Sequence, residues 1–144
     1  MKKTILLVAL AASVFGNIAG AQTAPSDQLY KAFGEKAGIT SLMDDFLIRL
    51  VEDPRTRSSF QIMGAGRIKE QLIIQLCELS GGPCKYEGRD MKSSHANLNI
   101  KKSDFHALVE VLQSSMTAKG IPFSSQNQML ALLAPMNTDI ITPK

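Results

Sequence analysis

Four stretches in which apolar residues recur every three or four positions, three of them closed by a glycine or proline, constrain this chain more than any other feature. The first carries Ile39, Leu42, Met43, Phe46, Leu47, Leu50 and Val51 and meets Pro54. The second carries Ile68, Leu72, Leu76 and Leu79 and stops at Gly81-Gly82-Pro83. The third opens with Ser103 as the expected N-cap and carries Phe105, Leu108, Val109, Leu112 and Met116 to Gly120. The fourth opens near Ser124-Ser125 and carries Met129, Leu130, Leu133, Met136 and Ile140, with Pro135 expected to kink or restart it. A spacing of three and four places these side chains on one face of a helix. Proline lacks the backbone donor that a helix interior needs, and glycine supplies the turn that ends one. No stretch alternates apolar and polar residues over a strand's length, and no repeat or low-complexity run occurs. The pattern predicts an all-α domain, either a bundle or a globin-like arrangement, and periodicity does not choose between them.

The first 21 residues have a different logic. Lys2 and Lys3 precede the apolar run Ile5 to Ala12, and the small residues Ala19-Gly20-Ala21 follow. This is the layout of a secretory signal peptide cleaved after Ala21. The apolar run is too short to span a bilayer and no later stretch is long enough, so the expectation is an exported, periplasmic protein with no membrane segment after cleavage. Cleavage leaves 123 of the 144 residues, enough for one domain with one core. Residues 22–28 form a short polar leader with Pro25, and 29–144 form the domain. Removing Lys2 and Lys3 takes Lys+Arg from 16 to 14 against 13 acidic residues, a net charge of +1. That balance gives no electrostatic case for nucleic acid.

The residues available for chemistry are few. Cys77 and Cys84 straddle the Gly-Gly turn in "CELSGGPC". In an exported chain an even cysteine count favours a disulfide, which over so short a loop adds about 2 kcal/mol. Two free buried thiols are the alternative. The spacing matches neither a zinc motif nor a covalent heme-attachment motif. Only His95 and His106 could serve as imidazole ligands or bases, too few for a multi-histidine metal site. His106, beside Phe105 on the flank of the third helix, reads as an exposed helix residue, and His95 taken alone reads as a surface histidine.

The order of landmarks from Leu29 onward changes the reading of His95. "LYKAFGEKAGITSLMDDFLIRLVEDP" opens the domain, Phe60 follows, and "GGPCKYEGRDMKSSHANLNI" carries Gly81, Gly82, Pro83, Tyr86, Gly88, Met91 and His95 in sequence, before the ending "LLAPMNTDII". In these residues the chain resembles the group 1 truncated hemoglobins, short globins with a two-over-two helical sandwich. The resemblance covers most of the chain after the leader. It implies a non-covalent heme b, one per chain, with His95 as the single proximal ligand to iron. It further implies that Phe46, Phe60, Tyr86 and Met91 contact the porphyrin. Arg67 and Lys92 would meet the propionates, with Lys69 and Arg89 as weaker candidates.

On the other heme face the chain departs from that pattern. The family usually has a tyrosine where Leu47 stands, and often a glutamine where Leu72 stands. The residue expected nearest the sixth coordination site is Ile68, and Leu76 completes an apolar distal wall. A distal donor to bound oxygen is worth on the order of 1.5–3 kcal/mol, so its loss should speed oxygen release by roughly ten- to over a hundredfold. Gln75, on the same helical face as Ile68 and Leu72, is either a displaced donor, a tunnel lining or a solvent-facing residue, and Gln71 is a weaker candidate donor. The resemblance therefore implies reversible binding or transport of oxygen, nitric oxide or carbon monoxide. Nitric oxide dioxygenation or peroxidase-like activity, with a reductase as partner, is the enzyme alternative. A helical interaction module that has lost heme is the third.

Overall fold

A computed structural model describes residues 26–61 and 65–142; the expected signal peptide and the leader as far as Pro25 lie outside the described residues. All regular structure among the described residues is helical. In chain order the elements are α1 (Gln28–Ala32), α2 (Glu35–Glu52), α3 (Arg57–Gln61), α4 (Ala65–Leu79), α5 (Met91–His95), α6 (Lys102–Ala118), α7 (Phe123–Leu133) and α8 (Asn137–Ile140). The four periodic stretches correspond to α2, α4, α6 and α7 with α8. Pro135 sits in a short 3-10 turn, Ala134–Met136, from which α8 restarts.

The expected N-cap of α6, Ser103, is corrected by two positions to Lys101. The helix begins at Lys102 after an extended Lys101, and Ser103 lies inside its first turn. The reciprocal bond comes from Asp104, whose carboxylate accepts the Lys101 N–H at 2.9 Å. A charged acceptor in the first turn also complements the helix dipole, which a serine hydroxyl does not.

α2 lies at the centre and packs against both α4 and α6, while α1 closes on α7 and α5 rests on α8. The buried core follows the apolar stripes: Ile39, Leu42, Met43, Phe46 and Leu50 from α2; Ile73, Leu76 and Cys77 from α4; Val111, Leu112 and Met116 from α6; and Met129 from α7. Truncating any of these aliphatic side chains to alanine costs about 2–5 kcal/mol through lost transfer energy and the cavity left behind. His106 is exposed, as its flanking position on α6 predicts.

The end of α4 is tied down from two directions. Tyr30 N–H donates to the Ser80 carbonyl at 3.0 Å, fixing α1 to it. Gly81 takes φ 85°, a left-handed conformation suited to glycine. Gly82 lies so close to the Tyr30 ring and the Cys77 carbonyl that a Cβ would fall 2.7 Å from each. The turn thus sends the chain back across α4 toward α5.

Candidate functional site

The loop between α4 and α5 frames the site. Cys77, fully buried on α4, is joined to Cys84 by a disulfide with Cα atoms 5.7 Å apart. Beyond it, the Tyr86 N–H donates to Glu78 at 3.1 Å and the Tyr86 hydroxyl donates to the Arg89 carbonyl at 2.9 Å. Gly88 leaves room for this fold: a Cβ there would lie 2.4 Å from both the Tyr86 ring and the Gln71 Oε1. Gln71 is thereby placed against the loop.

Five residues make α5, too few to hold a helix by propensity, so its ends carry it. Asp90 caps the start, accepting the Ser93 N–H and the Ser93 hydroxyl, each at 2.7 Å. Those two donors, the backbone one foremost, hold the Asp90 carboxyl below its ordinary pKa. At the other end Asn97 and Asn99 take φ of 67° and 53°, and the Leu98 N–H returns to the His95 carbonyl at 3.2 Å. Asparagine tolerates this left-handed region better than other side-chain-bearing residues. Thr142, from the C-terminal end of the domain, closes the arrangement. Its hydroxyl lies 3.4 Å from both the His95 carbonyl and the Ile100 N–H, and its own N–H donates to the Ile100 carbonyl at 2.9 Å.

Within this frame the His95 Nδ1 lies 2.7 Å from the Met91 carbonyl oxygen. A carbonyl can only accept, so Nδ1 carries the proton and the Nε2 lone pair is the ring's open donor. The ring is half-buried, and Nε2 makes no hydrogen bond among the described residues. Among those residues no three His, Cys, Asp or Glu side chains cluster to hold an ion, so His95 is a candidate single ligand.

The other expected site residues fall into three groups. Phe46 is buried in the core, with Leu47, Phe60 and Leu72 half-buried against it and Leu76 2 % exposed. Ile68 is half-buried on α4. The four aliphatic residues, Leu47, Ile68, Leu72 and Leu76, carry no side-chain donor. Gln75, the polar exception on α4, is 8 % exposed; its Nε2 faces the sulfur of Met136 at 3.5 Å and that of Met91 at 3.8 Å. The amide is therefore turned toward α5 and the 3-10 turn. The cations divide as well. Lys69 is paired with Asp44, and Arg89 donates to the Ser93 carbonyl at 2.9 Å. Arg67 and Lys92 are exposed and enter no ion pair among the described residues.

The family model for bacterial-like globins matches residues 28–142. The chain belongs to the bacterial-like globins. This globin is similar to the group 1 truncated hemoglobin GlbN of Mycolicibacterium paratuberculosis, 25% identical over 114 residues that cover 79% of this chain and 84% of the relative. It is likewise similar to GlbN of Nostoc commune, 28% identical over 104 residues covering 72% and 86% of the two chains. Its fold matches the crystal structure of truncated hemoglobin from Tetrahymena pyriformis with a TM-score of 0.75 at 21% identity, covering 78% of this chain and 97% of that one. The 2/2 hemoglobin from Synechococcus sp. PCC 7002, solved with covalently attached heme, matches with a TM-score of 0.73 at 18% identity, covering 78% and 97%. The choice that periodicity left open, bundle or globin, is thus settled as the two-over-two globin fold.

Heme is the cofactor of globins, and the residues of this globin fit it. One imidazole has its tautomer fixed and Nε2 free, aliphatic side chains of α2 and α4 flank the core edge, and two unpaired cations stand ready for carboxylates. Asp90, Thr142 and Met136 are additions that the sequence reading lacked. Asp90 was legible, since Asp three residues before Ser93 is an N-cap pattern. Thr142 was not, because its partner His95 is 47 residues away.

Proposed function

We propose that this globin binds heme b, one per chain, through His95 Nε2 and reversibly takes up a diatomic gas at the iron. The observation that carries the reading is the bond from His95 Nδ1 to the Met91 carbonyl, which fixes the tautomer a metal ligand needs. Heme supplies the iron at which the gas binds; the chain supplies orientation, an apolar wall and the charge at the rim. Phe46, Phe60, Tyr86 and Met91 pack against the porphyrin, and Arg67 and Lys92 meet its propionates. Leu47, Ile68, Leu72 and Leu76 form the distal side and exclude water without offering a donor.

That distal side favours gases that need little help from a hydrogen bond. Nitric oxide and carbon monoxide fit it better than oxygen, whose partial negative charge on binding goes unanswered. The membership in group 1, suggested by the relatives, supports the same assignment of positions. The Cys77–Cys84 disulfide suits an oxidising compartment, and so supports the reading of residues 1–21 as an export signal, 22–28 as a leader and 29–144 as a globin domain working in the periplasm.

Binder and enzyme are separated by stopped-flow mixing of the oxygen-loaded protein with nitric oxide. The proposal expects oxidation to ferric heme and nitrate no faster than with free heme. A rate far above that, sustained by an added reductant, would replace it with nitric oxide dioxygenation.

A further inference from the structure

Gln75 is nine-tenths buried, yet its amide meets only sulfur: Met136 Sδ at 3.5 Å and Met91 Sδ at 3.8 Å. A thioether is a weak acceptor, and a buried amide without a good acceptor forfeits much of the hydration it gave up. The arrangement is a donor waiting for an oxygen. Met91 and Met136 are also partly exposed residues, which the other described methionines are not. Met43, Met116 and Met129 are 0–1% exposed, whereas Met91 and Met136 are half-buried.

We propose that Met136 and Met91 form a peroxide-reactive site in which the Gln75 amide holds the methionine sulfoxide product. The sulfur lone pair attacks one oxygen of the hydroperoxide; the S–O bond forms as the O–O bond breaks. Sulfur is oxidised by two electrons, and the departing hydroxide takes the remaining peroxide proton and leaves as water. A buried sulfoxide ordinarily disrupts its surroundings because it turns an apolar side chain polar. Here the new oxygen projects from Sδ toward Nε2, where it can accept an N–H···O bond at about 2.7–3.2 Å. Met136 is the nearer sulfur and reacts first. The site borders the iron ligand's helix, since Met91 opens α5 and the Met136 turn leads into α8, on which α5 rests. Met136 is not among the porphyrin contacts proposed above, so its reaction does not depend on whether heme is bound, whereas bound heme would partly shield Met91.

The test treats the purified protein with limiting hydrogen peroxide, cyanide being present to hold any heme iron out of the reaction. Peptide mass analysis should find one added oxygen on Met136, then on Met91, about tenfold ahead of Met43, Met116 and Met129, because burial excludes the reagent. The oxidised wild type should keep its thermal midpoint, while Gln75→Leu, oxidised to the same extent, should lose several degrees. In the wild type the Gln75 side-chain amide proton resonances should move downfield on oxidation, a readout that needs no variant to fold. Oxidation spread evenly over the five methionines, an equal loss of midpoint with and without Gln75, or unmoved Gln75 amide resonances would each overturn the proposal.

Discussion

The imidazole Nδ1 of His95 lies 2.7 Å from the carbonyl oxygen of Met91, one turn earlier in α5. A five-residue helix thereby orients its own last side chain. The acceptor is the carbonyl of the residue that opens the helix, so the bond ties the last side chain of α5 to its first residue. What holds α5 is at its borders: Asp90 before it, the left-handed asparagines after it and Thr142 across it.

Restoring a donor on the distal side should change gas release more than heme affinity. In Leu47→Tyr a hydroxyl enters a position that is now half-buried and apolar. Oxygen dissociation, followed by stopped-flow displacement with carbon monoxide, should slow by roughly ten- to a hundredfold, the equivalent of about 1.5–3 kcal/mol. An unchanged rate would mean that Leu47 does not face the ligand.

Asp90 makes the stability of α5 depend on pH in a defined direction. Its folded pKa is lowered from 3.8 by the Ser93 N–H and hydroxyl. A lowered carboxyl pKa contributes stability that is fully present above the unfolded value and lost as pH falls through the folded one. The thermal midpoint of the wild type should therefore exceed that of Asp90→Ala by a constant margin above pH 5, and the margin should close on acidification below about 3.8. Calorimetry of the two proteins across that range checks it, and a margin that widens with acid would contradict the assignment of the cap.

Opening the disulfide should destabilise the fold without removing the cofactor site. Cys84→Ser frees the loop that runs from the end of α4 to Tyr86, and the chain-entropy model gives a loss of about 2 kcal/mol. For a domain of this size the midpoint should fall on the order of 5–10 °C. Heme titration of the variant at low temperature should still reach one equivalent. The buried partner Cys77 stays in the core as a small apolar side chain.

The four long helices were legible because their apolar stripes have the helical period and their ends carry Pro54, Gly81-Gly82, Gly120 and Pro135. The choice of a globin over a bundle was not, since both bury the same stripes; it came from the order of landmarks around His95 and from the family match. α1 and α3 escaped because five residues hold no full apolar period. The start of α6 slipped because Ser103 is a good cap by type, while Asp104 one residue on makes the stronger bond. At the site, the absence of a donor at Leu47 and Leu72 could be read directly. The direction of the Gln75 amide could not, because the sulfurs it meets come from Met91, 16 residues away, and Met136, 61 residues away.

The central claim, that His95 is the iron ligand, is tested most directly by titrating hemin into the wild type and into His95→Gly, with and without added imidazole. The wild type should give a Soret band that saturates at one heme per chain. His95→Gly should bind weakly with an altered spectrum, and imidazole, entering the space left by the side chain, should restore the wild-type band. A His95→Gly protein that binds hemin as tightly as the wild type, with the same spectrum and no response to imidazole, would contradict the account.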